Sequence, residues 1–495
     1  MLHRRSPYDR YNPKIAYSRY HSISEVSGLG RSSIEDAYRP PLFIVLSVEL
    51  GNTTTKCILT ATDLKIGRTF LVRKSVKLTR EAREPKAGEN VFGRTIWGKP
   101  LSEESISEFI ADIITETVAG AGLGIDDVHF VVRSTGVTSS FNTPEEVGVM
   151  IKALAKGCLK AGIHPSRMVA PLSKESIPSN IREYSKLDLS PFTGAIAGSL
   201  PPRSYSEIMA NEMEAELSTA GIKMGAKWVN VDFRNPVITM DFGTTLKGRV
   251  ISDNLPYGET IGSITGLGGA ISDSIIQGVG YSSALEFPQR SVKGMNGFEV
   301  AEQLASEVHK HVRIEKIPPG ITRYGMIPVN STAALKAGIL LVGCDVGCNG
   351  DQIPKLRELG REFAEDYGLT IMPLILDFVQ SIAVSRIIEI LASSGVMSEK
   401  YSIGVTGRAG ITGFKPKIIL KYIDDLDIYR SFKVDDMVVF VEDGLALGAA
   451  VMAKCMHALG NPQSPLGGNK GMGCILHMKK TNRLNANPYG KLHYR

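Results

Sequence analysis

Two short stretches, 192 residues apart, repeat the same order of chemistry, and this repeat constrains the fold more than any other feature of the chain. The first reads Glu49-Leu50-Gly51-Asn52-Thr53-Thr54-Thr55-Lys56, and the second reads Asp241-Phe242-Gly243-Thr244-Thr245-Leu246-Lys247. In each, an acid closes an apolar, β-branched run, a Gly follows one residue later, hydroxyls come next, and a Lys ends the motif. Apolar runs on both sides of a Gly turn predict strand–turn–strand units over 43–60 and 237–252. Gly lets a backbone approach an anion closely. Turn N–H groups and Thr hydroxyls donate to phosphate oxygens. A carboxylate beside phosphate is repelled unless it holds Mg²⁺, mostly through water, or orients an attacking water. Gly51, Asn52, Thr53, Thr55, Gly243, Thr244 and Thr245 are therefore candidate phosphate contacts. Glu49, Asp241 and Lys56 are the candidate catalytic residues, with both acids as candidate Mg²⁺ holders.

The rest of the chain is organised around these two units. Its 495 residues exceed one small core and suit several lobes of roughly 100–200 residues. A third strand is expected after Lys65, a helix over 103–121, a strand over 128–132 and a helix from Thr143. A Pro- and Ser-rich stretch spans 165–205. Later helices are expected near 299–311, 355–366 and 379–395, with strands at YSIGVT and MVVFVED and a last helix over 443–459. The expected division is an extended basic arm (1–41), a first lobe (42–225), a second lobe (226–460) and a basic tail (461–495).

Charge placement excludes some partners. The net charge is +6, yet residues 1–40 carry seven Lys/Arg against four acids and residues 461–495 carry six against none, leaving the body at −3. A mildly acidic body with basic ends argues against a nucleic-acid groove, and the tail is read as a docking segment for a partner. No stretch approaches the ~18 uninterrupted apolar residues of a membrane span. The first residues lack an apolar signal region, and the six Cys form no disulfide framework. A cytoplasmic protein without a membrane partner is expected.

With the two hairpin motifs in place, the chain resembles the acetate and sugar kinase, Hsp70 and actin superfamily of ATPases. That resemblance implies an α/β fold of two duplicated, ribonuclease H-like lobes with a nucleotide cleft between them, and ATP with Mg²⁺ as ligands. It implies that Thr135 and Gly136, in the loop after strand 128–132, contact the nucleotide. It also implies an adenosine loop at Gly404, Gly407 and Gly410, and a connecting helix from Gly444. Glu49 stands where Asp is usual, and residues 128–143 contain no acid to serve as a general base. The missing base favours an ATPase or nucleotide switch over a small-molecule kinase, while Glu49 keeps a non-hydrolysing scaffold of the same fold as an alternative.

Within the superfamily, VELGNTTTKC and MDFGTTLKGRVIS resemble methanogenesis marker protein 14, and more loosely the reactivating factors of cobalamin-dependent enzymes. An ATP-dependent helper of a client enzyme, in archaeal methanogenesis, is what this implies; self-association stays open. Cys344 and Cys348, four residues apart in GCDVGCNGD, raise an iron–sulfur alternative, with structural thiols the simpler reading. No G-x-x-x-x-G-K-[ST] occurs, which excludes a P-loop.

Overall fold

In a computed structural model, residues 7–28, 41–137, 141, 144–168, 212–253, 260–288 and 295–456 are described. The chain is a mixed α/β protein whose contacts divide it into two compact units. One comprises Ser18–Leu200 with Ala446–Arg495, and the other Met1–Tyr17 with Pro201–Leu445. The tail 461–495, and the Pro- and Ser-rich stretch beyond Met168, lie outside the described residues.

The chain opens with β1 (Lys14–Ala16) and α1 (Ile23–Gly28). In the Ser18–Leu200 unit, β2 (Leu42–Leu50), β3 (Thr54–Asp63) and β4 (Thr69–Leu78) form the expected antiparallel meander. A small hairpin of β5 (Val91–Arg94) and β6 (Pro100–Ser102) leads into α2 (Glu103–Gly120). Ser102 starts that helix by accepting the Ser105 N–H at 3.1 Å, which satisfies one of its free first-turn donors. Ile106, Ile110, Ile113 and Ile114 then bury one face of α2. After β7 (Phe130–Thr135) comes α3 (Pro144–Lys160). The sheet order is β4-β3-β2-β7, with β7 parallel to β2.

The second unit begins with α4 (Glu212–Trp228) and the meander β8 (Val237–Phe242), β9 (Leu246–Ile251) and β10 (Thr260–Gly266). Then follow α5 (Ala270–Gln277), α6 (Met295–His309), β11 (Val312–Lys316), a short hairpin of β12 (Arg323–Tyr324) and β13 (Ile327–Pro328), and α7 (Ser331–Lys336). β14 (Leu340–Val346) precedes α8 (Ile353–Tyr367) and α9 (Met372–Ser393). β15 (Ser402–Thr406), α10 (Arg408–Ile411), α11 (Lys415–Asp425), α12 (Val434–Met437), β16 (Val438–Val441) and α13 (Gly444–Met456) complete it, the unit boundary falling inside α13. The sheet order is β1-β16-β15-β8-β9-β10-β14-β11. Around each hairpin motif the strand order is thus the same: a three-stranded meander, with the next strand parallel to its first.

Three expectations are corrected here. α4 begins within 42–225, which the sequence suggested as one lobe, but it packs on β8, β9 and β16 and belongs to the second unit. Nor is residue 1–41 all extended arm, because β1 pairs in parallel with β16, and Tyr8 and Tyr11 are buried. Arg10 and Tyr11 both bond Asp424, at 2.9 and 2.8 Å. Finally, α9 starts at Met372 rather than near 379, because Leu374, Ile375 and Leu376 are apolar on every face and Pro373 is tolerated in a first turn. Among the described residues this is the one helix long and apolar enough to cross a membrane, and most of it is buried inside the protein.

Packing of α6 on α9 also buries an imidazole. His309 donates Nε2–H to the Val379 carbonyl at 2.7 Å and accepts at Nδ1 from Arg386 at 3.1 Å. Burial pulls its pKa down to about 4, with the Arg386 charge adding to the effect and the Val379 bond opposing it. A free imidazole titrates near ~6.5, so between those values the unfolded chain binds more protons than the folded one. Stability is therefore complete above about pH 6.5 and falls, on the order of 3 kcal/mol, as pH drops towards 4. Urea unfolding over this range is expected to give a steeper loss for the natural chain than for His309→Gln. Equal slopes would show that His309 does not titrate this way.

Candidate functional site

The register aligns the two motifs residue for residue at their charged ends. Glu49 lies directly across from Lys56, and Asp241 across from Lys247. The first motif is one residue longer, and its turn absorbs the difference: four residues separate Leu50 from its partner Thr55, against three between Phe242 and Leu246. On the other side, Glu49 pairs with Ser134 of β7 and Asp241 with Thr406 of β15. Each sheet therefore carries a row of lysine, carboxylate and hydroxyl on one face, since cross-strand partners share a side.

In the first row, Lys56 Nζ lies 3.1 Å from Glu49 Oε2, both groups being mostly buried. Most other polar residues of this hairpin are spent holding it together. Asn52 donates to the Gly136 carbonyl and accepts from Ile96 N, both at 2.9 Å, which ties the loop after β7 to the turn. Thr53 Oγ1 accepts from Trp97 Nε1 at 2.9 Å. Thr55 is fully buried against Thr79, whose hydroxyl reaches the Gly51 carbonyl at 2.7 Å. Thr135 Oγ1 accepts from Val137 N at 3.1 Å. These bonds tie the Asn52 and Thr55 side chains into the hairpin. Gly51 is required at its place, because a Cβ there would stand 2.6 Å from the Thr54 carbonyl oxygen.

The second row is tighter. Lys247 Nζ lies 2.6 Å from Glu214 Oε2 and 3.6 Å from Asp241 Oδ2, with side-chain exposures of 2%, 3% and 8%. Ser218 adds a donor to Asp241 Oδ2 at 3.2 Å. Glu214 and Ser218, one turn apart on α4, are absent from the sequence reading. The readable sign was a helix stripe, 214-218-222-225, on which two polar residues continue into Ile222 and Gly225, both turned to the protein interior.

The Ser218 hydrogen bond and the Lys247 ion pair both address Oδ2 of Asp241, and Oδ1 has no donor among the described residues. Gly407 explains the space around it. Its φ is +84°, and a Cβ would meet the Phe242 carbonyl oxygen at 2.4 Å and Asp241 Oδ1 at 2.6 Å. An open carboxylate oxygen of this kind is what holds a hydrated divalent cation. Beside Asp241, the Gly243 and Thr244 carbonyls accept from Gly269 N (2.7 Å) and Ala270 N (3.1 Å), so the Gly-rich segment before α5 braces this turn. Thr244 is half-buried and Thr245 buried. At Gly404 and Gly410 a Cβ would meet Ile222 or Val405 side chains at 2.4 and 2.6 Å, so packing alone requires glycine at both positions.

Cys344 and Cys348 do not fit an iron–sulfur cluster. The Cys344 thiol is fully buried, its pKa is pushed up to about 12 by that burial, and Cys348 is exposed. Among the described residues no group of three or more His, Cys, Asp or Glu side chains is placed to hold a metal.

Both hairpins share their local strand order and carry a lysine–carboxylate–hydroxyl row, in a mixed α/β protein of two compact units. The chain belongs to the family described as an uncharacterized protein conserved in archaea (DUF2114), whose model matches residues 42–483. It is 49% identical over 473 residues to the uncharacterized protein MJ1451 of Methanocaldococcus jannaschii, covering 94% of this chain and 95% of that one. It is 46% identical over 485 residues to an uncharacterized protein of Methanothermobacter thermautotrophicus, covering 94% and 89%. Among solved structures it is similar to a reductive activator for corrinoid,iron-sulfur protein, with a TM-score of 0.34 and 11% identity over 84% of this chain. The chain spans 63% of that protein's length.

Proposed function

We propose that the chain is a Mg²⁺-dependent ATP-binding protein of the kinase, Hsp70 and actin type, acting as an activator or reactivating factor of another enzyme. The observation that carries the reading is the matched row of lysine, carboxylate and hydroxyl in both sheets, set in the same strand order. Asp241 holds Mg²⁺ water at Oδ1, while Lys247 and Ser218 fix the carboxylate through Oδ2. Bound Mg²⁺ supplies charge neutralisation to the phosphate oxygens. Lys56, Thr53 and the Gly51 and Gly243 turns donate to phosphate. The resemblance to reactivating factors extends the proposal to a client enzyme in archaeal methanogenesis.

The Glu49–Lys56 ion pair at 3.1 Å favours a second reading, a nucleotide-binding scaffold that does not hydrolyse, because it engages the first carboxylate and the phosphate cation with each other. Calorimetry with Mg²⁺ and ATP separates these from no function at all. The natural chain is expected to bind, and Asp241→Asn to bind at least about tenfold more weakly, some 1.4 kcal/mol. Absence of binding by the natural chain would sink the proposal, and phosphate release in the same mixture distinguishes hydrolysis from scaffolding.

A further inference from the structure

The Pro201–Leu445 unit contains a cavity of about 480 Å³ that involves no hairpin residue. It lies against the edge strand β11, the end of α6 and the loop after β14, with Arg386 reaching in from α9. That volume falls in the range of about 300–1,000 Å³ typical of small-molecule sites. Three cations, Lys310, Arg313 and Arg386, line it against one carboxylate, Glu315, with His309 and His311 beside them.

The cations differ in what they can still do. Lys310 is paired with Glu307 at 2.5 Å. Arg313 is committed to Glu315 and to the buried Asp345, at 3.5 and 3.3 Å, and lies over the Tyr324 ring. Arg386 has no carboxylate partner among the described residues. Its Nη1 donates to the Val312 carbonyl at 2.9 Å and to His309 Nδ1 at 3.1 Å. His309 can accept there because its other nitrogen donates to Val379, so the ring is neutral and adds no competing charge. These two bonds fix the plane of the guanidinium. Nη2 and Nε meet no acceptor among the described residues and are not sealed from solvent.

A guanidinium held at Nη1, with Nε and Nη2 left over on a residue that lines an open, cation-rich pocket, can serve as a fork for a two-oxygen anion. We propose that this cavity binds a small oxyanion-bearing molecule, a carboxylate or a phosphate, through a bidentate contact from Arg386. Arg313 and Lys310 add long-range attraction, and the site is independent of the hairpin residues.

Cys348 lines the same cavity and is exposed, whereas Cys57, Cys158 and Cys344 are buried, so its alkylation reports occupancy locally. Iodoacetamide labelling of the full chain, mapped to the Cys348 peptide, is followed with inorganic phosphate and with succinate as probes, in the absence of ATP. At least one probe is expected to slow labelling in a saturable way, and the one that does so assigns the class. Arg386→Gln is expected to raise the half-protecting concentration at least roughly tenfold, the loss of one charge-assisted pair. Arg386→Lys, which keeps the charge but loses the fork, covers the case in which the Gln variant fails to fold, and it is expected to weaken protection by roughly threefold or more. Asp241→Asn is expected to leave protection unchanged, which separates this site from the nucleotide reading. Labelling that neither probe slows, or equal protection in the Arg386 variants, would overturn the proposal.

Discussion

Lys247→Met is expected to remove about 3–5 kcal/mol of folding stability, the cost of breaking a buried ion pair from one side. The lysine sits at 2% exposure between Glu214 and Asp241, and Met matches its length without its charge. Both carboxylates then face each other in a site from which water is largely excluded, and no described cation replaces the lost one. Arg249, the nearest alternative on the same strand, is already engaged with Glu216 at 3.5 Å. The check is urea unfolding of the natural chain and the variant, together with a Glu214→Gln variant and the double variant. If charge is the cause, Glu214→Gln should restore part of the stability in the Lys247→Met background, and the two changes should not add. A loss below about 1 kcal/mol, the scale of an exposed pair, would show that Lys247 carries little of this cluster.

Gly407→Ala is expected to have two effects of one origin. A residue with a side chain at φ +84° is strained, and here the Cβ would also press on the Phe242 carbonyl oxygen at 2.4 Å and on Asp241 Oδ1 at 2.6 Å. Backbone cannot yield as a flexible side chain does, so strain and overpacking together are expected to cost about 3 kcal/mol. The carboxylate that must shift is the one assigned to hold Mg²⁺ water. Binding of ATP with Mg²⁺ should therefore weaken as it does in Asp241→Asn, measured by calorimetry at a temperature where the variant is folded. Gly404→Ala is the control, because its Cβ meets Ile222 and Phe233 side chains and not the carboxylate. It should lose stability and keep its nucleotide affinity. Unchanged affinity in Gly407→Ala would detach this loop from the site.

Much of this arrangement was legible in residue order, and what was not has a physical cause. The hairpins could be read because both strands and their turn are local, and the acid and its lysine are six or seven residues apart. Their direct pairing follows from a register that the turn fixes. Glu214 was not readable as a partner of Lys247, because a Glu on an amphipathic helix looks solvated until the helix is placed on a sheet. The bracing bonds of Asn52 and Thr55 were hidden for a related reason: polar residues in a turn serve ligands and the turn itself equally well, and their partners Ile96 and Thr79 are distant in sequence. Gly404 and Gly407 look alike in G-x-x-G-x-x-G, yet one makes room for a helix and the other for a carboxylate. The N-terminal segment hid its strand because Lys14–Ala16 is too short to show a period and is stabilised by a partner at the far end of the unit.

That partner sets the order in which the molecule can be completed. Lys14 to Ala16 leave the ribosome about 425 residues (439 − 14) before Val439 to Val441, the strand they lie against. At about 5–20 residues per second, the first segment waits tens of seconds for its place in the sheet. Over that time Tyr8 and Tyr11, buried in the finished protein, wait for Phe298 and Phe378, which Tyr8 packs on, and for Asp424, which Tyr11 bonds. The Ser18–Leu200 sheet, by contrast, has all four of its strands once Thr135 has been made. One unit can thus assemble during synthesis, while the sheet of the other is sealed by its newest strand joining its oldest.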